Sequence, residues 1–578
     1  EWKENRRTKL VTNVSAWPAY KFGLKGSEIK YRFGWTHHPV VFAPTDPNEL
    51  LVGANVVLKS MDAGIHWTAI SPDLTRNDKS KQQRPGGEIS ADVTGEEMFD
   101  TISALAGSPL SNGTIWAGSD DGLVHVTTDG GKTWSGVRPA DLPEWSTITS
   151  IDPSHTSAGT AFLSASRYGW DDFHPYVYKT TDYGKHWTKI IDGLPDDQYV
   201  LSVREDPDDP DLLFAATSAS VYVSLDGGAH WQSLALNLPA VRVSDIEIQP
   251  KQHAVVISTF GRAFWVLDNL RFLEQLNKAH VANDAPYLFK PQQAWLVTRS
   301  SGGESGSDEP GGSNSPAGVT VFFHLPANYK DKVPVELTFT TESGKVIDNV
   351  KLPVKPKKNQ EIKNAFAKPE KKPAKLHPGM NRYQWNLRYP NAVDIKGIYN
   401  SYFAAAKPVG PEVVPGTYYA VLKVGKTTQK QAFVVTLDPR LKTSQAELQA
   451  RFDLLMRLHE TVAAFDTSVN QAIAARDKLA KQTGKQGTAS SPAQQAVAKL
   501  DSDIDSVVDL KIQSGEGALV YPPRLRAWLT SIASQIGFAL VPPTPSMVQV
   551  ANMYIKQANA AEVQLRADVK AADAVVRR

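Results

Sequence analysis

The chain has 578 residues, 41% hydrophobic and 21% charged, with 39 glycines and 38 prolines. At roughly 100–200 residues per domain this is material for about three or four cores, and it excludes a wholly disordered or collagen-like chain. There is no cysteine, which removes disulfides, thiolate metal sites and thiol nucleophiles together, and no apolar run approaches the roughly 20 residues needed to cross a bilayer.

The net charge of +2 hides an asymmetry: residues 1–318 carry 27 basic and 39 acidic groups, residues 319–440 carry 20 and 9, and residues 441–578 carry 16 and 13. A uniform basic stripe of the kind that tracks nucleic acid is absent, so no nucleic-acid partner is expected. The chain opens on Glu1 in polar, strand-like sequence without an initiator Met or a signal peptide, as expected of a fragment or a processed chain.

One pattern recurs four times in the first half: Ser or Thr, any residue, Asp, any residue, Gly, two residues, Trp. It stands as SMDAGIHW at 60–67, TTDGGKTW at 127–134, TTDYGKHW at 180–187 and SLDGGAHW at 224–231. The aspartates Asp62, Asp129, Asp182 and Asp226 are 67, 53 and 44 residues apart, close to the roughly 40–50 of propeller blades plus insertions. Each box follows a turn and two short runs of alternating β-formers, so each unit is expected to be a small antiparallel sheet.

The boxes have a structural task. Asp at a hairpin turn accepts backbone N–H bonds, Gly64, Gly131, Gly184 and Gly228 supply positive φ, and Trp67, Trp134, Trp187 and Trp231 pack between sheets. One aspartate per blade keeps these groups too far apart for a catalytic or metal-binding set. A fifth unit at 246–269 repeats the strands without a box, and residues 1–23 read as outer strands of a further, incomplete blade.

The four boxes resemble the Asp-boxes (BNR repeats) of sialidase-like and sortilin-like propellers. The runs KYRFGWTHHPVVFAPTDPNELLVGANVVLKSMDAG at 30–64, IWAGSDDGLVHVTTDGGKTW at 115–134 and TFGRAFWVLDNL at 259–270 resemble a family of large exported bacterial proteins, described as sortilin-type or glycosyl-hydrolase-like. The resemblance implies export and a longer propeller with further boxed blades on the N-terminal side. This chain is similar to the C-terminal part, a partial ring that a companion chain or upstream fragment would complete.

Further along, residues 271–318 are expected to hold an exit helix and a Gly/Ser-rich linker. Alternating runs at 319–325, 335–341, 381–389, 417–424 and 431–437 predict a small sandwich over 319–440, resembling immunoglobulin or fibronectin-like modules. The lysine- and proline-dense stretch 351–375 reads as a solvated loop facing the acidic first half, with a polyanion-binding segment as the alternative. From 441 the period is helical: Ser444 and Glu447 form a capping box, and Leu448, Phe452, Leu455, Val462, Phe465, Val469 and Ile473 make a stripe. Helices to about 481, at 493–513, 522–538 and 545–575 predict a bundle over 441–578. The expected class is therefore mainly β with C-terminal α, the propeller blades filling 1–270.

Two insertions interrupt the blades as ligand-facing loops do. GGEISADVTGEEMFD at 86–100 offers Glu88, Asp92, Glu96, Glu97 and Asp100, and RYGWDDFHPY at 167–176 offers Arg167, Tyr168, Trp170, Asp171, Asp172 and His174. Aromatics beside carboxylates suit a sugar or peptide. No nucleophile elbow, zinc motif or phosphate loop is present. Neither a cofactor nor a metal is expected, and the Asp-rich turn at 206–211 lacks the spacing of a dedicated calcium loop. No positioned acid/base pair emerges, so the leading expectation is a noncatalytic exported propeller that binds a peptide, protein or glycan as a scaffold. The alternative is a glycan hydrolase of the xyloglucanase or sialidase-like type, its groove shared with upstream blades.

Overall fold

A computed structural model describes the chain except residues 36–37, 88, 91–92, 96, 277, 279–283, 298–316, 331, 354–374, 400–405, 484–490, 513–519 and 577–578. The chain divides into two compact units, Glu1–His280 and Val281–Arg578. It is mostly β, with its long helices at the C-terminal end. Among the described residues no helix is long and apolar enough to cross a membrane.

The first unit is a succession of antiparallel sheets, each folded from consecutive strands. The first comprises Val40–Ala43, Asp46–Gly53, Val57–Ser60 and Thr68–Ala69; the second Ile102–Gly107, Ile115–Ser119, Val124–Thr127 and Ser135–Gly136. The third comprises Thr147–Pro153, Ala161–Arg167, Asp172–Thr180 and Thr188–Lys189; the fourth Val200–Asp206, Asp209–Thr217, Val221–Ser224 and Gln232–Ser233. The fifth, which lacks a box, has three strands: Val243–Gln249, Ala254–Thr259 and Phe264–Leu267.

The opening strand of each sheet packs on the opening strand of the next, which gives the unit a propeller-like plan. Separate apolar clusters fill the gaps between neighbours. Leu51 and Val57 meet Ile102 and Ile115, Trp116 meets Ile148 and Leu163, Phe162 and Val177 meet Val203 and Leu213, and Phe214 and Val223 meet Ile246 and Ile257. Gly118 permits one of these approaches, since a Cβ there would lie 2.5 Å from Ile148 Cγ2.

The box residues tie neighbouring sheets by one repeated bond. Trp134 Nε1 donates to Ile70 O (2.9 Å), Trp187 Nε1 to Val137 O (2.6 Å) and Trp231 Nε1 to Ile190 O (2.9 Å), in each case a carbonyl just beyond the outermost strand of the preceding sheet. Trp67 Nε1 donates to Val14 O at 3.0 Å, and Val14 follows the two-stranded hairpin Trp2–Glu4 and Val11–Asn13. That hairpin therefore holds, relative to the first sheet, the place that outer strands hold relative to later ones. Phe42 on the first sheet and Phe264 and Val266 on the fifth remain exposed.

In the second unit one sheet joins Tyr287–Leu288, Val319–Leu325 and Gly379–Trp385 in that order. Another joins Ala294–Leu296, Thr427–Leu437, Gly416–Val424, Val335–Thr341 and Val346–Leu352. The two share a core in which Trp385 stacks on Phe339 at 4.2 Å. Two strands thus come from the stretch expected as helix and linker. Leu288, Ala294 and Leu296 are buried, and so short an apolar patch does not declare itself without the partner strands that cover it. The Gly/Ser-rich run and most of the lysine-rich run lie outside the described residues.

Helices Gln445–Thr483, Pro492–Val507, Leu525–Gly537 and Pro545–Val576 share a second core built on Leu455, Leu458, Val462, Phe465 and Val469. Ser444 N donates to Glu447 Oε2 (2.8 Å) and Glu447 N to Ser444 Oγ (3.3 Å), the reciprocal cap expected from the sequence. Arg526, fully buried, donates through Nε to both oxygens of buried Asp466 (2.7 and 2.8 Å), through Nη2 to Asp394 (3.2 Å) and through Nη1 to Ala406 O (3.3 Å). Removing Asp466 leaves the fully buried guanidinium with only partly exposed Asp394, 3.2 Å away, as counter-charge. Asp466→Ala is expected to cost about 3–5 kcal/mol, whereas Asp466→Leu with Arg526→Met recovers most of that loss; urea unfolding followed by far-UV circular dichroism measures both.

Candidate functional site

Strand alternation divides the first unit into two faces. The boxes join third to fourth strands, and the turns between first and second strands lie on the same side. Backbone bonds Gly130 N to Gly113 O (2.9 Å), Tyr183 N to Gly159 O (2.9 Å) and Gly227 N to Asp211 O (2.8 Å) bring the two kinds of turn together. The links between sheets and the turns between second and third strands occupy the opposite side, called here the linker face.

On the box face each aspartate is spent locally. Asp129 Oδ1 accepts from Thr127 Oγ1 (2.8 Å) and Thr133 N (2.9 Å), and Thr127 Oγ1 in turn accepts from Gly131 N (3.0 Å). Asp62, Asp182 and Asp226 repeat this with Ser60 and His66, Thr180 and His186, and Ser224 and His230. Backbone and side-chain bonds from Thr133 and from His186 hold the Asp129 and Asp182 carboxyls down at about 2. Gly64, Gly131, Gly184 and Gly228 all have φ between +82° and +98°, where a side chain is strained.

The same side carries Asp208, His253 and Glu274, whose ligand atoms lie within 4.8 Å of one another and could hold a cation by spacing alone. Arg271 Nη1 faces His253 Nε2 at 3.0 Å, which makes that nitrogen the acceptor and leaves the proton on Nδ1, 2.7 Å from Glu274 Oε1. The proton occupies the position a metal would need. The group reads as a hydrogen-bonded tie between the helix Arg271–Leu276 and the sheets.

The linker face gathers aromatic and arginine side chains from the second to fifth sheets. Phe99 lies 6.2 Å from Trp145, and Arg76 and Lys81 each sit 4.7 Å above the Trp145 ring. Trp170 Nε1 donates to Trp145 O (3.1 Å) and lies under Arg167. Tyr168 stacks on Tyr199 at 5.2 Å, Phe173 lies 6.1 Å from Tyr199, and Arg242 faces Tyr168, Tyr199 and Phe260. Tyr168 and Trp170 are 52% and 56% exposed, so each leaves part of its ring accessible to a ligand.

Of the insertion residues, Arg167, Tyr168 and Trp170 fall on this surface. Asp171 sits at φ +61° and closes the turn through its N–H to Tyr168 O (3.1 Å). Asp172 accepts from Arg167 Nε (3.1 Å) and Tyr176 Oη (2.8 Å) and meets His174 Nδ1 at 3.0 Å. Burial alone would raise this carboxyl, but bonds from Tyr176, His174 and Arg167 together hold it below its ordinary value. Glu97 accepts from Thr94 N (2.8 Å) and Thr94 Oγ1 (2.7 Å) and braces its own loop. Glu88, Asp92 and Glu96 lie outside the described residues.

Sequence reading missed Arg76, Lys81, Phe99, Trp145, Tyr199, Arg242 and Phe260. Their shared signal is position: Phe99, Trp145, Tyr199 and Arg242 each stand within three residues of an opening strand, on the links that must share a side with the 168–171 turn.

Beside the surface lies a buried carboxyl group. Asp100 is fully buried; its Oδ2 accepts from Gln82 Nε2 (2.6 Å), and its Oδ1 has no donor partner. Burial pushes Asp100 up to about 6, and the carboxyl of Asp121 adds to this. Asp120 accepts from Thr101 N and Oγ1 (2.9 and 2.8 Å), yet burial raises it to about 7. Arg76 fastens the cluster to the surface, donating from N to Asp121 Oδ2 (2.6 Å) and from Nε to Asp121 O (3.0 Å). Asp100 is too deeply buried to reach a ligand, so its protonation bears on stability.

No protein-family model matches the chain. A curated probable oligoxyloglucan-reducing end-specific xyloglucanase from Neosartorya fischeri is 25% identical over 237 residues, covering 33% of this chain and 26% of the relative. The chain thus spans about a quarter of the length of the curated relative it matches. Among solved structures, the GH74 xyloglucanase from Xanthomonas campestris aligns at 19% identity over 43% of this chain and 38% of that one, with a TM-score of 0.31. The GH74 enzyme of Niastella koreensis aligns at 16% identity over 40% and 36%, with a TM-score of 0.30, and YCF48 bound to D1 peptide at 15% over 43% and 69%, with a TM-score of 0.27.

Because the raised Asp100 and Asp120 carboxyls are neutral at acid pH and must ionise while buried as pH rises, their stabilising contribution is full below about 4 and lost through about 6 to 7. Asp100→Asn keeps the shape, and Asn tolerates the local φ of +61°. The variant is expected to gain on the order of 2 kcal/mol relative to wild type between pH 4.5 and pH 8, read from urea midpoints at both values.

Proposed function

We propose that the first unit presents the glycan-binding face of a polysaccharide-hydrolysing propeller, with the linker-face aromatics as the platform for a run of sugar rings. The observation that carries this is the gathering of Phe99, Trp145, Trp170, Tyr168 and Phe260 on one face, Tyr168 stacked over buried Tyr199, with carboxylates along its margin. Open ring faces beside polar groups suit a ligand with one apolar and one hydroxylated side. The sequence relative supports hydrolysis over the noncatalytic scaffold that sequence reading preferred. Hydrolysis needs an acid and a base or nucleophile across the glycosidic bond. Asp172, held ionised by its donors, is suited to the second role, and the 86–100 insertion would supply the acid.

Membership of the sortilin-type Asp-box family, export, immunoglobulin-like and bundle character for the second unit, and completion of the ring by a companion chain or upstream fragment belong to the same proposal. Exposed Phe42, Phe264 and Val266 support the last of these.

The test is release of reducing ends from xyloglucan by the full chain, alone and with any co-purifying partner, alongside affinity electrophoresis. Trp145→Ala and Tyr168→Ala are expected to weaken glycan binding about tenfold or more. One carboxylate-to-amide change among Glu88, Asp92, Glu96, Glu97, Asp171 and Asp172 should cut turnover at least about 100-fold with binding nearly unchanged. Asp129→Ala, on the box face, should lower the thermal midpoint and leave binding intact. Binding without turnover would favour the scaffold reading.

A further inference from the structure

The cations of the linker face are not equivalent. The Arg76 guanidinium donates to the Glu144 carboxylate and to the carbonyl of Asp121, and that of Arg167 to the Asp172 carboxylate and to the carbonyl of Glu144. Arg242 differs. Among the described residues its guanidinium forms no ion pair and donates no hydrogen bond, and its Nε is buried without a partner. Asp245, the closest carboxylate along the chain, is engaged by Arg204 Nη2 (2.9 Å) and Ser202 Oγ (2.7 Å).

Three aromatic rings surround this free charge. Arg242 Cζ lies 5.6 Å from the Tyr168 ring centre, 5.9 Å from Tyr199 and 5.7 Å from Phe260. They come from three sheets and are held by one another and by the backbone: Tyr199 is buried, Tyr168 stacks on it, and Phe260 N donates to Arg242 O at 2.9 Å. Rings that restrict a guanidinium without supplying an anion hold its planar fork ready for one, at little further entropic cost. The unit around it is acidic overall, so a cation without a counter-ion stands against the local average.

We infer that Arg242, with Tyr168, Tyr199 and Phe260, forms an anion-recognising subsite that takes a carboxylate-bearing sugar, so that the glycan bound on the linker face is a uronate-containing polymer. This rests on the glycan reading above and narrows its substrate class. A uronic acid carries its carboxylate directly on the ring, presenting the anion and a flat C–H face together; the guanidinium receives the first in bidentate fashion and the rings the second. An acidic peptide carries its carboxylates on flexible stems and has no such face, and it fits the rigid surround less well.

The test compares the full chain's affinity for oligogalacturonates, neutral xyloglucan oligosaccharides and poly-glutamate, for wild type, Arg242→Gln and Phe260→Ala, by calorimetry at 50 and 300 mM salt. Phe260 is 74% exposed, so its truncation leaves the fold intact. Expected are at least about tenfold tighter binding of oligogalacturonate than of neutral oligosaccharide, weakened by salt, and loss of that preference in Arg242→Gln with neutral binding within about twofold. Phe260→Ala should likewise weaken oligogalacturonate binding. Neutral binding with no uronate preference, or equal loss for both sugars in Arg242→Gln, overturns this inference and leaves the glycan reading standing. Arg242-dependent binding of poly-glutamate alone overturns the sugar assignment, and binding of none of the three overturns both readings.

Discussion

The first unit depends on one repeated tie: an indole N–H reaching back to a carbonyl at the outer edge of the preceding sheet. An antiparallel sheet of four short strands cannot bury both faces by itself, so each is stable only against a neighbour. Burial of apolar surface across the gaps supplies most of the attraction, but that attraction is non-directional. The bond from Trp134 to Ile70, and its counterparts at Trp67, Trp187 and Trp231, supplies direction at the periphery, where wedges would otherwise be free to splay. Each bond contributes roughly 1 kcal/mol, small beside the burial of the ring that makes it. Its value lies in fixing where that ring goes.

That tie also explains the division of labour between the faces. The box turns are saturated: Ser or Thr, Asp and the backbone amides satisfy one another, and glycine at positive φ closes the turn. The linker face is under no such requirement, because links between sheets vary in length and residue type. Aromatics and arginines gather there, and among its carboxylates Asp172 is partly exposed and paired, whereas Asp100 is buried and proton-retaining.

Comparison of sequence and structure separates two kinds of legibility. The boxes were readable because one local hydrogen-bond solution demands the same residues each time, and the Ser444–Glu447 cap was readable for the same reason. Strands Tyr287–Leu288 and Ala294–Leu296 were hidden because two or three residues have no period of their own; they exist through pairing with Phe323–His324 and Val435–Leu437. Within the candidate site, Tyr168 and Trp170 were visible as an aromatic insertion. Phe99, Trp145, Tyr199, Arg242 and Phe260 were scattered over some 160 positions as single residues, and a lone Phe or Arg in a link carries no pattern.

By itself, the sequence determined the repeat, the turn chemistry of each box, the change from β to helical period near residue 441 and the absence of thiol chemistry, because each is a local matter of backbone angles, side-chain spacing or composition. Only the tertiary structure decided on which side of the sheets the aromatics and arginines gather, which arginine is left without a counter-ion among the described residues, and which aspartates keep their protons. Those properties arise when residues far apart in the chain are brought within a few ångströms, where burial and the nearest charge outweigh the intrinsic character of any one side chain.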